Sequence, residues 1–321
     1  MSIVVTGGAG FIGSCIVRML NDKGIEDILI VDNIAETEKW KNLVNKRYIE
    51  YIHKDIFLDR LQSYKGITHI IHMGACSSTT ENNFDYLYNN NLEYTKVLWK
   101  YCTERQICFI YASSASTYGN GEQGFSDCCD IRILNPLNGY GYSKQLFDLW
   151  AEVQQDKPEQ CVGLKFFNVY GPNEYHKGTM ASVILHGYRQ VKESGRLRLF
   201  KSYRSDYMDG GQLRDFVYVK DICKVIEFFM EHPGISGIFN VGTGRAESFE
   251  KLGKSVFLAL GRKPEIEYIE MPEYLRKKYQ YYTQADMEKL RTAGYSADFY
   301  GLEQGTADYV QNYLEQDFRI Y

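Results

Sequence analysis

The strongest constraint on this chain lies at its start. The short apolar run Ile3-Val4-Val5-Thr6 leads straight into Gly7-Gly8-Ala9-Gly10-Phe11-Ile12-Gly13, and a helical pattern spans Phe11 to Lys23. The glycines satisfy GxGxxG at 8, 10 and 13, and GxxGxxG at 7, 10 and 13. Glycine allows the tight turn, lets backbone N–H groups approach a pyrophosphate and lets helix and strand pack closely. The N-terminus of the following helix is electropositive and suits an anion. Asp32, nineteen residues beyond Gly13, closes the next apolar run, Asp27 to Val31, where a carboxylate suits a ribose diol. Strand, turn, helix and spaced acid together read as a dinucleotide-binding unit.

The alternation continues downstream. Tyr48 to Ile52, Thr68 to His72, Ile107 to Ala112 and Val162 to Phe166 are further candidate strands, with helical stretches such as Phe84 to Arg105 and Tyr140 to Gln155 between them. Short buried strands separated by helices predict an α/β fold, a Rossmann-type doubly wound parallel sheet. Asp215 to Val219 and Ile238 to Val241 read as strands able to rejoin that sheet. The less regular second half predicts a smaller C-terminal α/β substrate domain interleaved with the first. On this reading residues 1–167, with 213–240 and about 280–300, bind the nucleotide, and residues 168–212, 241–279 and 301–321 bind the substrate. A length of 321 residues accommodates two such units.

Composition narrows the function classes. No apolar run of about 18 residues occurs, so no membrane span is expected. A net charge of -4 gives no case for nucleic acid. The glycine-broken N-terminus does not read as a signal peptide. Eight scattered cysteines without a CxxC pair read as reduced thiols in a cytoplasmic protein, with no metal site expected.

A second motif carries chemistry. In Tyr140-Gly141-Tyr142-Ser143-Lys144 the tyrosine and lysine are spaced i, i+4 at the start of a helix and share one face. A free tyrosine, with a pKa of ~10, is a poor base at neutral pH. A nearby ammonium, together with the positive charge of a bound nicotinamide, stabilises the phenolate. Such a tyrosine takes a hydroxyl proton while hydride leaves the same carbon. Ser113 to Gly119 follow the fifth candidate strand, and Ser114 can hydrogen-bond the reacting oxygen. Lys39 and Lys54 follow the second and third strands, where they suit a 2′-phosphate, while Asp32 suits an unmodified ribose. Residue chemistry alone therefore leaves NAD and NADP open.

Taken together, TGGAGFIG, SSASTYG, YGYSK, FNVYGP and LRDFVYVKD (Leu213 to Asp221) resemble the extended short-chain dehydrogenase/reductase family. GACSSTTE (Gly74 to Glu81), the run from Phe167 to Ser182, the run from Phe239 to Phe249 and YTQAD (Tyr282 to Asp286) are similar to its ADP-heptose 6-epimerase branch. The resemblance implies inversion at C6 of ADP-D-glycero-D-manno-heptose by transient oxidation, with hydride return to the opposite face. The product feeds the inner core of lipopolysaccharide. It also implies NADP and a homo-oligomer, as pentamers or pairs of them.

Site residues follow from the resemblance position by position. Tyr140 and Lys177 are the expected pair of acid/base groups, with Lys144 lowering the tyrosine pKa and Ser114 orienting the substrate. Gly7, Gly10, Phe11, Ile12 and Gly13 are expected at the pyrophosphate, and Asp32, Asn33, Lys39 and Lys54 near the adenosine 2′-phosphate. Met73, Gly74, Ala75, Cys76, Ser77, Asn90, Lys144, Val169 and Lys177 line the remainder, with Met73 standing where the family carries an acid. The expected substrate contacts are Asn168, Thr179 (a serine in the family), His186, the run Phe200-Lys201-Ser202-Tyr203, Arg214 and Tyr279. Read without the family, Lys177 is rather a phosphate-binding or surface lysine and His186 a satisfied helix histidine, while Arg214 is equally a surface partner of Asp215. The competing readings are a nucleotide-sugar 4-epimerase, which needs no second acid/base group, and a cofactor-sensing regulator without catalysis. A 4,6-dehydratase is disfavoured because Ala115-Ser116 stand where that class carries Asp-Glu.

Overall fold

The computed structural model describes residues 2–276 and 279–321. Its apolar runs become strands β1 (Ser2–Thr6), β2 (Ile28–Asp32), β3 (Glu50–His53), β4 (Ile67–His72), β5 (Cys108–Ser114) and β6 (Cys161–Phe166). After them come β7 (Asn168–Tyr170), β8 (Leu197–Phe200), β9 (Leu213–Tyr218), β10 (Gly237–Val241), β11 (Ala246–Ser248) and β12 (Ile266–Ile269). Seven strands form one sheet in the order β10-β6-β5-β4-β1-β2-β3, every neighbour parallel. The chain starts in β1, winds outward to β3, then crosses back to β4, so a switch point opens beyond the carboxyl ends of β1 and β4. Ligands of doubly wound sheets bind at such a point.

Side-chain alternation explains why the runs read as continuously apolar. Ile3 and Val5 of β1 enter one core cluster with the helices Phe11–Asp22 and Val219–Glu231. Val4 enters another with the helices Tyr94–Arg105 and Gly139–Glu152. Both faces of the sheet are covered, so both sets of alternate residues must be apolar.

Two expectations change in the structure. Of the C-terminal strands read as able to rejoin the sheet, β10 does so beside β6. β9 instead pairs parallel with β7 and antiparallel with β11 in a separate three-stranded sheet. β7 departs from β6 at Phe167, whose N–H donates to the carbonyl of Val241 at 3.1 Å, and its edge receives β9. The helix expected from Phe84 to Arg105 is interrupted by a π-helical segment, Tyr88–Glu93. It carries Asn89-Asn90-Asn91, whose side chains compete for backbone partners and suit a helix interior poorly. A further parallel pair, β8 with β12, completes the C-terminal part.

One buried ion pair ties this frame to the serine motif. Lys165 of β6 donates to Asp148 of helix Gly139–Glu152 at 2.9 Å, with side-chain exposures of 2% and 0%. Asp148 also accepts from Ser113 at 2.7 Å and from the Tyr111 hydroxyl at 3.0 Å, while Lys165 reaches the Thr117 hydroxyl at 2.7 Å. Removing one partner leaves an uncompensated buried charge. Lys165→Met is therefore expected to destabilise the protein by about 3 kcal/mol in urea unfolding. A loss well below 1 kcal/mol would mean that the hydroxyls alone satisfy Asp148.

Candidate active site

At the switch point lies a cavity of about 680 Å³. The glycine loop forms one wall. Gly7 sits at φ +66°, and a Cβ there would lie 2.7 Å from the backbone nitrogen of Gly74. A Cβ on Gly13 would lie 2.1 Å from the carbonyl oxygen of Gly7. These glycines thus let three backbone segments touch, as a side chain would not. Helix Phe11–Asp22 begins at Gly10 with no side-chain cap, which leaves its positive end available to an anion.

Asp32 ends β2 with both oxygens engaged. Oδ2 accepts from the backbone N–H of Ala9 at 2.9 Å, and Oδ1 from the N–H of Asn33 and the Lys39 ammonium, each at 2.7 Å. A smaller adjoining pocket of about 130 Å³ is lined by Asp32, Asn33, Lys39, Lys54 and Asn90 among others. Lys54 donates to the side-chain oxygen of Asn90 at 3.1 Å. The two lysines read from sequence therefore border one recess.

The segment Met73 to Ser77 lines the opposite side of the main cavity and is held by a relay absent from the sequence reading. The Gly74 N–H donates to Thr6 Oγ1 at 3.2 Å, and that hydroxyl lies 2.6 Å from His72 Nδ1. His72 Nε2 lies 2.9 Å from Thr95 Oγ1, which spends its own proton on the carbonyl of Asn91 at 2.6 Å. The chain closes only if His72 is neutral with its proton on Nε2. Asn91 itself accepts from the N–H of Cys76 at 2.8 Å and donates to its carbonyl at 3.0 Å and to the Ser143 hydroxyl at 3.0 Å. The interrupted helix thus aims one amide at both the loop and the helix bearing Tyr140, a use to which π-bulges are often put. The only sequence signal was the run of three asparagines.

Tyr140, Lys144 and Ser114 meet on this cavity. Asn138 caps their helix by accepting from the Gly141 N–H at 2.8 Å. Lys144 is buried and donates to the carbonyl of Ala112 at 2.8 Å; burial lowers its ammonium to about 8, against the attraction of Asp148. Burial raises the Tyr140 phenol, and the hydrogen bond with Ser114 works against that rise. The protein alone therefore does not depress the phenol as the i, i+4 lysine suggested, because desolvation outweighs the helpers.

Lys177 enters from a separate element, the 3₁₀ turn Tyr175–Met180, with its ammonium 5.4 Å from the centre of the Phe11 ring. Its pKa is lowered by burial and raised by Glu174. Asn168 and Val169 of β7 also line the cavity, as do His176, Ser182, Phe216 and Phe249, none of which was among the expected contacts. His176 is pushed down to about 4, first by burial and then by Lys39 and Lys177.

The remaining expected substrate residues divide. Arg214 is buried, stacks between Phe249 and Tyr279 at 5.7 and 5.4 Å, and donates to the carbonyls of Leu213 and Gln280. It does not pair with Asp215, which points the other way and accepts from the N–H groups of Thr243, Gly244 and Ala285. Phe200 packs on Tyr279, so this cluster joins the cavity through Phe249. Lys201 and Tyr203 are engaged by Glu270, and the Ser202 N–H by Asp209. Thr179 is exposed, and His186 lies on helix Val183–Ser194; neither lines the cavity.

Comparison with known proteins agrees with this geometry. The sequence model of the NAD dependent epimerase/dehydratase family matches residues 3–242. The ADP-L-glycero-D-manno-heptose-6-epimerase of Nitratidesulfovibrio vulgaris (strain DP4) is 53% identical over 97% of both chains. That of Fusobacterium nucleatum subsp. nucleatum is 50% identical over 98% of both. Among solved structures, the Helicobacter pylori enzyme of that name aligns with a TM-score of 0.82 at 28% identity, covering 97% of this chain and 95% of its own.

The relay makes a pH prediction. Burial, with Lys144 adding to it, holds His72 down to about 3, below its unfolded value of 6.5. The neutral ring therefore contributes stability in full above pH 6.5, and the contribution is lost as pH falls from 6.5 towards 3. Wild-type protein is expected to lose roughly 3 kcal/mol more than His72→Gln between pH 7 and pH 4, measured by denaturant unfolding at each pH. Parallel acid profiles for the two proteins would remove His72 from that role.

Proposed function

The chain belongs to the NAD dependent epimerase/dehydratase family, and on that footing we propose that it inverts C6 of ADP-D-glycero-D-manno-heptose, with NADP as its cofactor, to supply the L-glycero epimer for lipopolysaccharide. The observation that carries this reading is that Tyr140 and Lys177, on separate elements, line one cavity with the glycine loop. Unless the whole ketone turns over between the two hydride transfers, as in a 4-epimerase, inversion by redox needs proton transfer at the substrate oxygen from two different positions, and a single tyrosine on one wall supplies one.

Cofactor fit rests on the chain's own groups. The uncapped helix start and the side-chain-free contact of Gly7 with Gly74 suit a pyrophosphate. Lys39 and Lys54, bordering one recess with Asn33, suit a 2′-phosphate and favour NADP over NAD. The chemistry that a nicotinamide cofactor supplies when bound is reversible acceptance of a hydride.

The residues then divide the remaining work. Ser114 orients the substrate hydroxyl and shares a hydrogen bond with Tyr140. Tyr140 moves a proton at that oxygen from one side, and Lys177 does so from the other. Lys144, fixed on the carbonyl of Ala112, lines the same cavity one helical turn beyond Tyr140, placed to hold the cofactor beside it. Arg214, stacked and buried behind Phe249, keeps guanidinium N–H groups beyond those given to Leu213 and Gln280, and these suit the diphosphate of the substrate.

The direct test is proton NMR of ADP-D-glycero-D-manno-heptose with purified protein in heavy water. Inversion at C6 without deuterium at that carbon is expected, and solvent exchange or absence of conversion refutes the reading. Tyr140→Phe is expected to cut turnover by roughly 10²–10⁴-fold with cofactor binding retained, measured by steady-state kinetics and cofactor titration. Replacing Lys39 and Lys54 together with alanine is expected to weaken NADP about tenfold more than NAD; equal weakening would set aside the phosphate role.

A further inference from the structure

Lys177 stands on a loop whose base is closed by one carboxylate. Glu174 is 1% exposed, although it belongs to a turn that reaches the cavity. Its Oε2 accepts from the backbone N–H of Ser182 at 2.6 Å, and its Oε1 from the Ser182 hydroxyl at 2.6 Å and the Gly171 N–H at 3.3 Å. The same Ser182 hydroxyl accepts from the Leu185 N–H at 3.2 Å, capping helix Val183–Ser194. The Glu174 carbonyl accepts from the Lys177 N–H at 3.0 Å, which sets the turn that carries the lysine. One side chain thus joins the end of β7, the start of a helix and both ends of the loop between them. Gly178, at φ +53° and ψ −127°, breaks the turn directly after Lys177, so the loop has no helical ladder of its own to hold that ammonium.

We propose that Glu174 is the positioning residue for Lys177, clamping the base of residues 174–182 and holding a negative charge one turn away from the lysine ammonium. This rests on the acid/base role given to Lys177 above and adds what maintains it. A buried lysine loses its proton readily, and a fixed carboxylate nearby opposes that loss. Lys177 shows both influences, burial lowering its pKa and Glu174 raising it. Burial raises the carboxyl of Glu174, while its bonds from Ser182 and Gly171 and the charge of Lys177 work against that rise. The other groups acting on this loop among the described residues are His176, itself influenced by Lys39 and Asp32, with Tyr175 of the turn itself, Tyr309 at the end of helix Leu302–Tyr309 and Cys15 from helix Phe11–Asp22. Tyr140 and Lys144 share the cavity. Among these groups Glu174 alone raises the pKa of Lys177.

The test reads the amine directly. Trace acetic anhydride is applied to the purified protein across a pH series, and acetylation of the Lys177 peptide is followed by mass spectrometry. In Glu174→Gln the titration of Lys177 is expected to move down by about one unit. In Ser182→Ala, which loosens the clamp but keeps the charge, the titration is expected to stay while kcat falls roughly tenfold. An unshifted Lys177 in folded Glu174→Gln overturns the proposal. Should Glu174→Gln fail to fold, an unchanged kcat in Ser182→Ala overturns the clamp. A shifted titration in a protein whose turnover ignores Lys177→Met would uphold the assignment of Glu174 and remove Lys177 from the reaction.

Discussion

The cavity depends on how closely the backbone at Gly7 approaches the backbone at Gly74. A Cβ at Gly7 would sit 2.7 Å from the neighbouring nitrogen, so no other residue lets β1 and β4 deliver their following loops to the same place. That contact brings the start of helix Phe11–Asp22 and the segment Met73 to Ser77 to face each other across the switch point. The relay through Thr6, His72, Thr95 and Asn91 then fixes the second loop by hydrogen bonds that all run through buried groups. Buried polar chains of this kind hold one geometry because any broken link leaves an unsatisfied group.

Electrostatically the site gathers cations in a partly dry space. Lys144 and Lys177 are both lowered by burial, and each keeps a carboxylate at some distance, Asp148 for the first and Glu174 for the second. Asp148 is in turn occupied by Lys165, Ser113 and Tyr111, so its charge is largely spent on the frame. Among the described residues the Tyr140 phenol receives help only from Ser114 against desolvation. The arrangement therefore leaves proton affinity at both walls open to whatever charge binds between them.

Much of this was legible in the chain itself. The glycine spacing, the i, i+4 pair Tyr140 and Lys144, and the alternation of apolar runs all act over short stretches, where backbone geometry follows directly from local residue type. Arg214 shows the other case. From sequence its neighbour Asp215 was an equal candidate partner, yet successive strand residues face opposite ways, and the arginine stacks on Phe249 and Tyr279 while the aspartate binds a backbone loop. β9 likewise read as a member of the main sheet, and its pairing with β7 and β11 depended on a strand break at Phe167 that no local pattern marks.

By itself, then, the sequence determined a glycine-turn dinucleotide unit, a parallel sheet and a tyrosine–lysine face, because each is written in residues within a few positions of one another. Only the tertiary structure decided that His72, Asn91, Asp148 and Glu174 are fixed points of the site, since their partners lie in other elements and burial, which sets their charge, is a property of the packed fold.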